Sequence, residues 1–489
     1  MKLRRRVRAG RSSASERDET PSGFAAKTAL ILVAGSTAMV ASLGAPLVPA
    51  VAREFDVSYA GAQWNLTGPL LVGAVAMPIF GAFGGGRARK PAVLAGLFVI
   101  TIGSVLTTFS HEFGPFLAGR CLQGFGLALT PLAIAAAREH FEGRRQESLI
   151  SVLSVATVAG AGIAHPAASL MAAGWGLRST FLVASVVNGL LLLVTITWFP
   201  GSRRRRNGAL DLLGVTLMGT GVATCLVGFT SAPRWGWSSW PTLGLLGTGV
   251  VAIATWTWRS WSGRGNLVDL RLAWQRGLLE PHAVAFLAAL GVFAMVSLAT
   301  LVTQDPDWGL GESIALAGFL QLPYSITSVI GSRVALATGR RIGMHWVLPV
   351  GCGVFALQAF GLAMWHSDLL AIAVCMAIGG IGGGFTLACV PLLIIPHVPQ
   401  EGTANMLAFS QVLRCVGSSA GSALGITLFV LLGGEGHALV LTAAALGGVW
   451  VVTGLLLCLD NKGGGPGPSR QEGTVMPLPS SLAAPGLIP

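Results

Sequence analysis

The chain has 489 residues, of which 53% are hydrophobic and 11% are charged, and its mean hydropathy is +0.69. Soluble globular proteins carry about 25% charged residues, so this composition excludes them and predicts an all-α integral membrane protein. The net charge of +12 does not indicate a nucleic-acid partner, because the positive side chains concentrate in alternate loops between apolar stretches.

About fourteen apolar stretches follow one another along the chain, each close to the ~20 residues that a membrane-spanning helix needs. The stretches are continuous and do not alternate with polar residues, which favours helices over the strands of a β-barrel. Two long polar connections divide them into two six-helix bundles with two linker helices between. The predicted order is a basic cytoplasmic tail, a six-helix bundle, a basic cytoplasmic loop, two linker helices, a second cytoplasmic loop, a second six-helix bundle and a disordered cytoplasmic tail, at residues 1–27, 28–199, 200–209, 210–258, 259–280, 281–459 and 460–489.

The basic residues also predict how the spans are oriented. Most of the 32 Lys and Arg residues fall in alternate loops, and the positive-inside rule assigns those loops, with both termini, to the cytoplasm. The basic first segment lacks the short apolar core of a signal peptide. A bias towards Arg, Ala and Gly is typical of a GC-rich bacterial genome. The predicted location is therefore a bacterial cell (plasma) membrane, which the chain crosses many times.

Three arginines lie inside predicted spans, and Arg120 is the first candidate among them. Arg120 belongs to the predicted fourth span, where an ionisable side chain costs at least ~2.5–3.5 kcal/mol and is a functional candidate by default. Gln123 follows one helical turn later on the same face, while Gly124 and Gly126 let a neighbouring helix or a ligand come close. The spacing predicts a buried guanidinium that faces either a substrate or a backbone carbonyl of the first span.

Other polar residues within the predicted spans are further candidate site residues. Asn65 in span two is expected to join the fourth-span motif as a polar point of a mainly apolar cavity. His165, which precedes Pro166 in span five, is either a proton relay or a neutral structural histidine. Arg414 in span thirteen is either a cavity-lining cation or a structural one. Arg333 lies nearer the end of span ten and is expected to extend its charge to the membrane surface.

The two six-span halves contain corresponding segments rich in glycine and basic residues after their second spans, at residues 81–90 and 337–343. Two repeats with a site between them near the midplane are the plan of secondary transporters. With this layout and its Arg-x-x-Gln-Gly-x-Gly motif in span four, the chain resembles the 14-span drug:H⁺ antiporter branch of the major facilitator superfamily. The resemblance implies a secondary active exporter of a small organic compound (an antibiotic, drug or natural product) that works by alternating access and proton antiport.

Several acidic residues expected of this branch are absent. The Asp of the loop after span two falls at Gly85, its second-half copy at Arg340 and the first-span acid at Val40. None of the 20 acidic residues lies in the middle of a predicted span. Two alternatives therefore stay open: a transport-inactive sensor or assembly protein on a degenerate transporter fold, and an uncoupled uniporter. The missing acids also favour an anionic substrate beside Arg120.

The sequence predicts no enzyme activity, no cofactor and no metal site. It has no Walker A sequence, and its seven cysteines show neither a disulfide framework nor the spacing of metal ligands. No cluster of His, Asp and Glu gathers at one membrane face. The expected partners are a small-molecule substrate, protons and the lipid bilayer, with no nucleic acid, and the oligomeric state is not predicted.

Overall fold

The computed structural model describes residues 21–57, 59–62, 64–84, 86–202, 211–263 and 268–463. These residues form helices joined by turns and loops, with no strand among them. The prediction of an all-α membrane fold is therefore confirmed. Most of the predicted basic tail and basic loop, and nearly all of the predicted C-terminal tail, lie outside the described residues.

Fourteen helical segments follow the predicted spans in chain order and are numbered α1 to α14 here. Two of them are divided, α1 by a turn at Leu43 and α4 by a 3₁₀ segment, and a short helix (Ile314–Phe319) precedes α10, separated from it by a turn at Leu320. Their bounds are α1 (Pro21–Ser42 and Gly44–Glu54), α2 (Trp64–Phe83), α3 (Arg89–Phe109), α4 (Phe113–Gln123, Gly124–Ala128 and Leu129–His140), α5 (Gly143–Trp175), α6 (Leu177–Trp198), α7 (Leu212–Trp235), α8 (Trp240–Trp261), α9 (Arg276–Gln304), α10 (Gln321–Ile342), α11 (Val347–Met364), α12 (Leu369–Ile394), α13 (Thr403–Leu431) and α14 (Gly436–Gly463).

Within the described residues, ten helices are long and apolar enough to cross a membrane. The segments α1, α5, α8 and α10 are not among them. Of these, α10 carries Arg333, Arg340 and Arg341, which lower its mean hydropathy. These four segments pack against neighbours that do meet the criterion: α1 contacts α4 and α6, α5 contacts α6 and α12, α8 contacts α7, and α10 contacts α12. They therefore belong to the same helical assembly as the ten.

The helix contacts reveal an internal repeat. In the first half α1 packs against α5, α2 against α4, and α3 against α6. In the second half α9 packs against α13, α10 against α12, and α11 against α14. Adding eight to each helix number of the first half gives the pairs of the second half. Two bundles with matching internal contacts are what an internally repeated transporter fold requires.

The two halves meet along a seam formed by a few helices. On one side α2 contacts α13, and on the other α5 contacts α10 and α12. The linker helices α7 and α8 pack against each other, and α7 also contacts both α2 and α13. The linker helix α7 therefore lies beside the seam, where it contacts one helix from each half.

Glycines allow the closest helix contacts in each half. A side chain on Gly124 of α4 would overlap the carbonyl group of Pro69 in α2. In the second half, a Cβ on Gly331 of α10 would lie 2.6 Å from the carbonyl oxygen of Ile381 in α12. Both contacts join corresponding helix pairs, α2 with α4 and α10 with α12. Small residues thus allow backbone-to-backbone packing, which in a membrane replaces the hydrophobic driving force between helices.

Candidate functional site

The Arg120 side chain is completely buried in the first half, where it meets two amide side chains. Its Nε donates hydrogen bonds to Asn65 Oδ1 at 2.6 Å and to the Asn65 carbonyl oxygen at 3.2 Å. Its Nη1 donates to Gln123 Oε1 on the same helix. The guanidinium carbon also lies 5.5 Å from the centre of the Phe181 ring in α6, a cation–π distance. The structure therefore brings Arg120, Gln123 and Asn65 together.

The break in α1 is part of this cluster. Asn65 Nδ2 donates a hydrogen bond of 2.9 Å to the Gly44 carbonyl oxygen, just after the turn at Leu43. A Cβ on Gly44 would lie 2.9 Å from Arg120 Nη2 and 3.0 Å from the Asn65 carbonyl oxygen. Glycine at this position therefore lets the first helix approach the guanidinium. The sequence predicts a first-span carbonyl as one partner that Arg120 could face. In the structure the Gly44 carbonyl of the first span accepts a hydrogen bond from Asn65.

The motif residues after Arg120 form a local change of helix type. Gln123 Nε2 donates a long hydrogen bond of 3.5 Å to Thr107 Oγ1, which links the cluster to α3. From Gly124 to Ala128 the helix becomes a 3₁₀ helix, and Gly126 is buried within it. A 3₁₀ stretch in the middle of a helix often marks a hinge, because its hydrogen bonds have poorer geometry. The motif thus combines an anchored arginine with a change of helix type.

A separate cavity of ≈ 210 Å³ lies between the two halves. Its walls come from α2 and α4 of the first half and from α9, α10, α12 and α13 of the second. Arg414 is the charged residue among those that line it, whereas Arg120, Gln123 and Asn65 do not reach it. The apolar part of the lining is formed by side chains that include Leu70, Leu127, Ile134, Val292, Phe293, Val390 and Leu407.

The remaining candidates occupy different surroundings. His165 and Pro166 lie within the continuous helix α5, and their side chains lie outside those that the structure describes. Arg333 is exposed on α10 and takes no part in the cavity. His282 in α9 is buried, with Nε2 3.3 Å from Met406 Sδ in α13.

Sequence reasoning missed Tyr324. This residue of α10 lines the cavity, and a Cβ on Gly383 of α12 would overlap its hydroxyl group. The chain has only 2 tyrosines. The available signal was a polar aromatic residue inside the predicted tenth span. The distance between Tyr324 and Arg414 depends on how α10, α12 and α13 are rotated about their axes, and the sequence does not show these rotations.

The side of the bundle where α2 ends and α13 begins, named the gate here, is closed. A Cβ on Gly84 would overlap Ala404 Cβ, and a Cβ on Gly81 would lie 2.9 Å from Ala408 Cβ. Because these contacts join helices from different halves, they leave no gap between α2 and α13 on this side. The positive-inside rule predicts that the gate faces the cytoplasm.

Arginines add polar contacts around the gate. Arg138 at the end of α4 donates hydrogen bonds to Thr403 Oγ1 and, at 3.4 Å, to the Pro399 carbonyl oxygen, across the two halves. Arg89 pairs with Glu139 at 2.6 Å and donates to the Gly84 carbonyl oxygen at 2.6 Å. Glu139 therefore supplies an acidic partner in the region where the loop aspartate of the resembling branch is absent.

Comparison with known proteins gives the family. Residues 30–422 match the Major Facilitator Superfamily. The multidrug resistance protein Stp of Mycobacterium tuberculosis is 25% identical over 383 residues, which cover 77% of this chain and 70% of that protein. The tetracenomycin C resistance and export protein of Streptomyces glaucescens is 25% identical over 419 residues, which cover 83% of this chain and 76% of that protein.

A solved structure shows the same fold. The crystal structure of the human organic anion transporter MFSD10 superposes with a TM-score of 0.66 and 15% identity, covering 90% of this chain and 100% of that one. The family match extends over most of the chain and over helices of both halves. The protein is therefore a multi-pass membrane transporter, not an enzyme, and it belongs to the Major Facilitator Superfamily.

Proposed function

We propose that the protein exports a small organic compound, of the antibiotic, drug or natural-product type, across a bacterial plasma membrane by alternating access. Both termini would lie in the cytoplasm, and inward movement of protons would supply the energy. The relatives named for multidrug resistance and tetracenomycin C export, at 25% identity, support an export function. Proton antiport is the coupling that the antiporter branch implies.

The cavity between the halves is the observation that carries this proposal. It lies among helices of both repeats and is mainly apolar, and α2 and α13 are in close contact at the gate through Gly81, Gly84, Ala404 and Ala408. A site that closes towards one membrane face and is built from both halves is what alternating access needs. Arg414, the charged residue of the lining, makes one part of the cavity polar.

One observation favours a second candidate, the uncoupled uniporter. No Asp or Glu is among the residues that line the cavity. A proton antiporter needs a group that binds and releases a proton during the cycle, and carboxylates are the common choice in membrane transporters. The sensor alternative has less support, because a sensor has no need for a cavity built from both halves.

Inverted membrane vesicles distinguish these functions. With the gate side facing the medium, an imposed pH gradient (acid inside) should drive accumulation of radiolabelled tetracenomycin C or of another candidate drug. Counterflow that persists without any gradient, together with no response to the pH gradient, would identify a uniporter. Vesicles that show neither accumulation nor counterflow with any compound of a broad drug panel would refute the export function.

A further inference from the structure

Arg414 differs from Arg120 in its surroundings. The guanidinium of Arg120 is held by Asn65 and Gln123. The guanidinium of Arg414 makes no hydrogen bond or ion pair with any residue that the structure describes, and it lines the cavity. A cation within a membrane span is costly unless something pairs with it. The cavity therefore contains a positive charge whose partner is still to be supplied.

Two further polar groups accompany this charge. Tyr324 on α10 lies close enough to Arg414 on α13 for the two to interact electrostatically. Gln411 lies one helical turn before Arg414 on α13 and also lines the cavity. Within the described part of the chain, neither the Tyr324 hydroxyl nor the Gln411 amide has a hydrogen-bond partner. Three polar groups with unused hydrogen-bonding capacity thus line one cavity.

The lack of Cβ at Gly383 makes this arrangement feasible. Any larger residue at that position would overlap the Tyr324 hydroxyl and push it from its place. The rest of the cavity is apolar, with Val292 and Phe293 from α9 and Leu127 from α4 among its walls. The site is therefore asymmetric, with a cationic polar part and an apolar part.

We propose that Arg414 binds the anionic group of the transported substrate. The substrate class is a small amphipathic organic monoanion that carries a carboxylate or sulfonate on an apolar or aromatic body. The planar guanidinium donates two parallel hydrogen bonds to such a group, and Tyr324 and Gln411 can each donate one more. This assignment rests on the proposed transport function, since it names what the transporter carries. Arg120 is then a positioning residue that holds α1, α2 and α4 together.

Ligand-induced stabilisation of the purified protein in lipid nanodiscs tests the charge of the ligand. The probes are 2-naphthoate and 1-adamantanecarboxylate, each compared with the ammonium compound and the amide of the same body. A ligand that binds only the native state raises the melting temperature in a saturable way. We expect the carboxylates to raise it and the matched ammonium compounds to leave it unchanged.

Substitutions assign the effect to Arg414. Arg414→Gln should weaken carboxylate binding at least tenfold. Arg414→Lys should weaken it less, because lysine keeps the charge but cannot donate two parallel hydrogen bonds to one carboxylate. The matched control is Arg333→Gln, which removes an exposed arginine from α10 and should leave binding unchanged. Ammonium compounds that stabilise the wild-type protein at least as well as the carboxylates would overturn the proposal, as would unchanged carboxylate binding in Arg414→Gln.

The same panel in inverted vesicles separates this proposal from the export function. Uptake of the ammonium compounds alone would leave export standing and overturn the anion site. Carboxylate binding that requires Arg414, without uptake of any compound tested, would support the anion site and count against export. Uptake of the carboxylates that is lost in Arg414→Gln and kept in Arg333→Gln would support both.

Discussion

Replacing Arg120 with Ala is expected to reduce transport about 100-fold and to lower the melting temperature of the protein. Hydrogen bonds to a charged group contribute about 1.5–3 kcal/mol each, and their loss leaves Asn65 and Gln123 as buried amides with unmade bonds. A loss of about 3 kcal/mol shifts the equilibrium between the intact and the disrupted cluster about 100-fold. Only the intact cluster is expected to support transport. Transport in vesicles and thermal unfolding in nanodiscs measure the two effects.

Two further variants sharpen the interpretation of Arg120. Arg120→Lys should recover part of the stability and little of the transport, because an ammonium group cannot contact Asn65 and Gln123 with the geometry of a guanidinium. Arg333→Ala is the control, since its side chain is exposed on α10. If the folded Arg120→Ala protein binds carboxylates as tightly as the wild type, Arg120 positions helices; a tenfold loss of affinity would place it in contact with the substrate. An Arg120→Ala protein with wild-type stability and transport would contradict the role of the buried cluster.

Replacing Ala404 with Leu is expected to hold the gate open and to abolish transport. Ala404 is buried, and its Cβ already occupies the space that a side chain at Gly84 would need. Extra carbon atoms at this position must separate α2 from α13, because overpacking a tight contact forces the backbone to move. A transporter that cannot close one side cannot complete the exchange between its two faces.

Spin labels measure this opening. Cysteines introduced at Arg144 in α5 and Arg341 in α10 are exposed and lie in different halves. Their separation should increase in Ala404→Leu, while ligand binding to the cavity persists. Ala445→Leu is the matched control, because that alanine is exposed on α14. An unchanged distance distribution with normal transport would show that the contact of α2 with α13 does not control access.

Much of the fold was predictable from the sequence, for a physical reason. The thickness of the bilayer fixes the length of each apolar stretch, so the order of the spans and the groups of six, two and six are visible without coordinates. The prediction of one continuous first span missed the division of α1 at Leu43, although Gly44 and Pro46, which directly follow the turn, are residue types that break helices. Asn65 and Gly44 meet only after α1 and α2 have packed.

Only those parts of the candidate site whose residues are close together in the sequence were predictable. Gln123 lies one turn from Arg120, so helical spacing alone places the two side chains on one face. The sequence could not decide between a structural and a cavity-lining role for Arg414, because that depends on which way α13 faces. It assigned the substrate charge to Arg120, whereas the structure describes the cavity beside Arg414. His165 stays a candidate relay.

The central claim is that the protein exports a small organic compound through the cavity between its halves. Untargeted metabolite profiling of cytoplasm and medium in a deletion strain of the organism that encodes the chain tests it most directly. We predict a compound retained inside the deletion strain, released again on complementation with the wild-type gene or Arg333→Gln, and still retained with Ala404→Leu or Arg414→Gln. Equal profiles in the deletion and wild-type strains, or full release by the Ala404→Leu variant, would contradict export through this cavity.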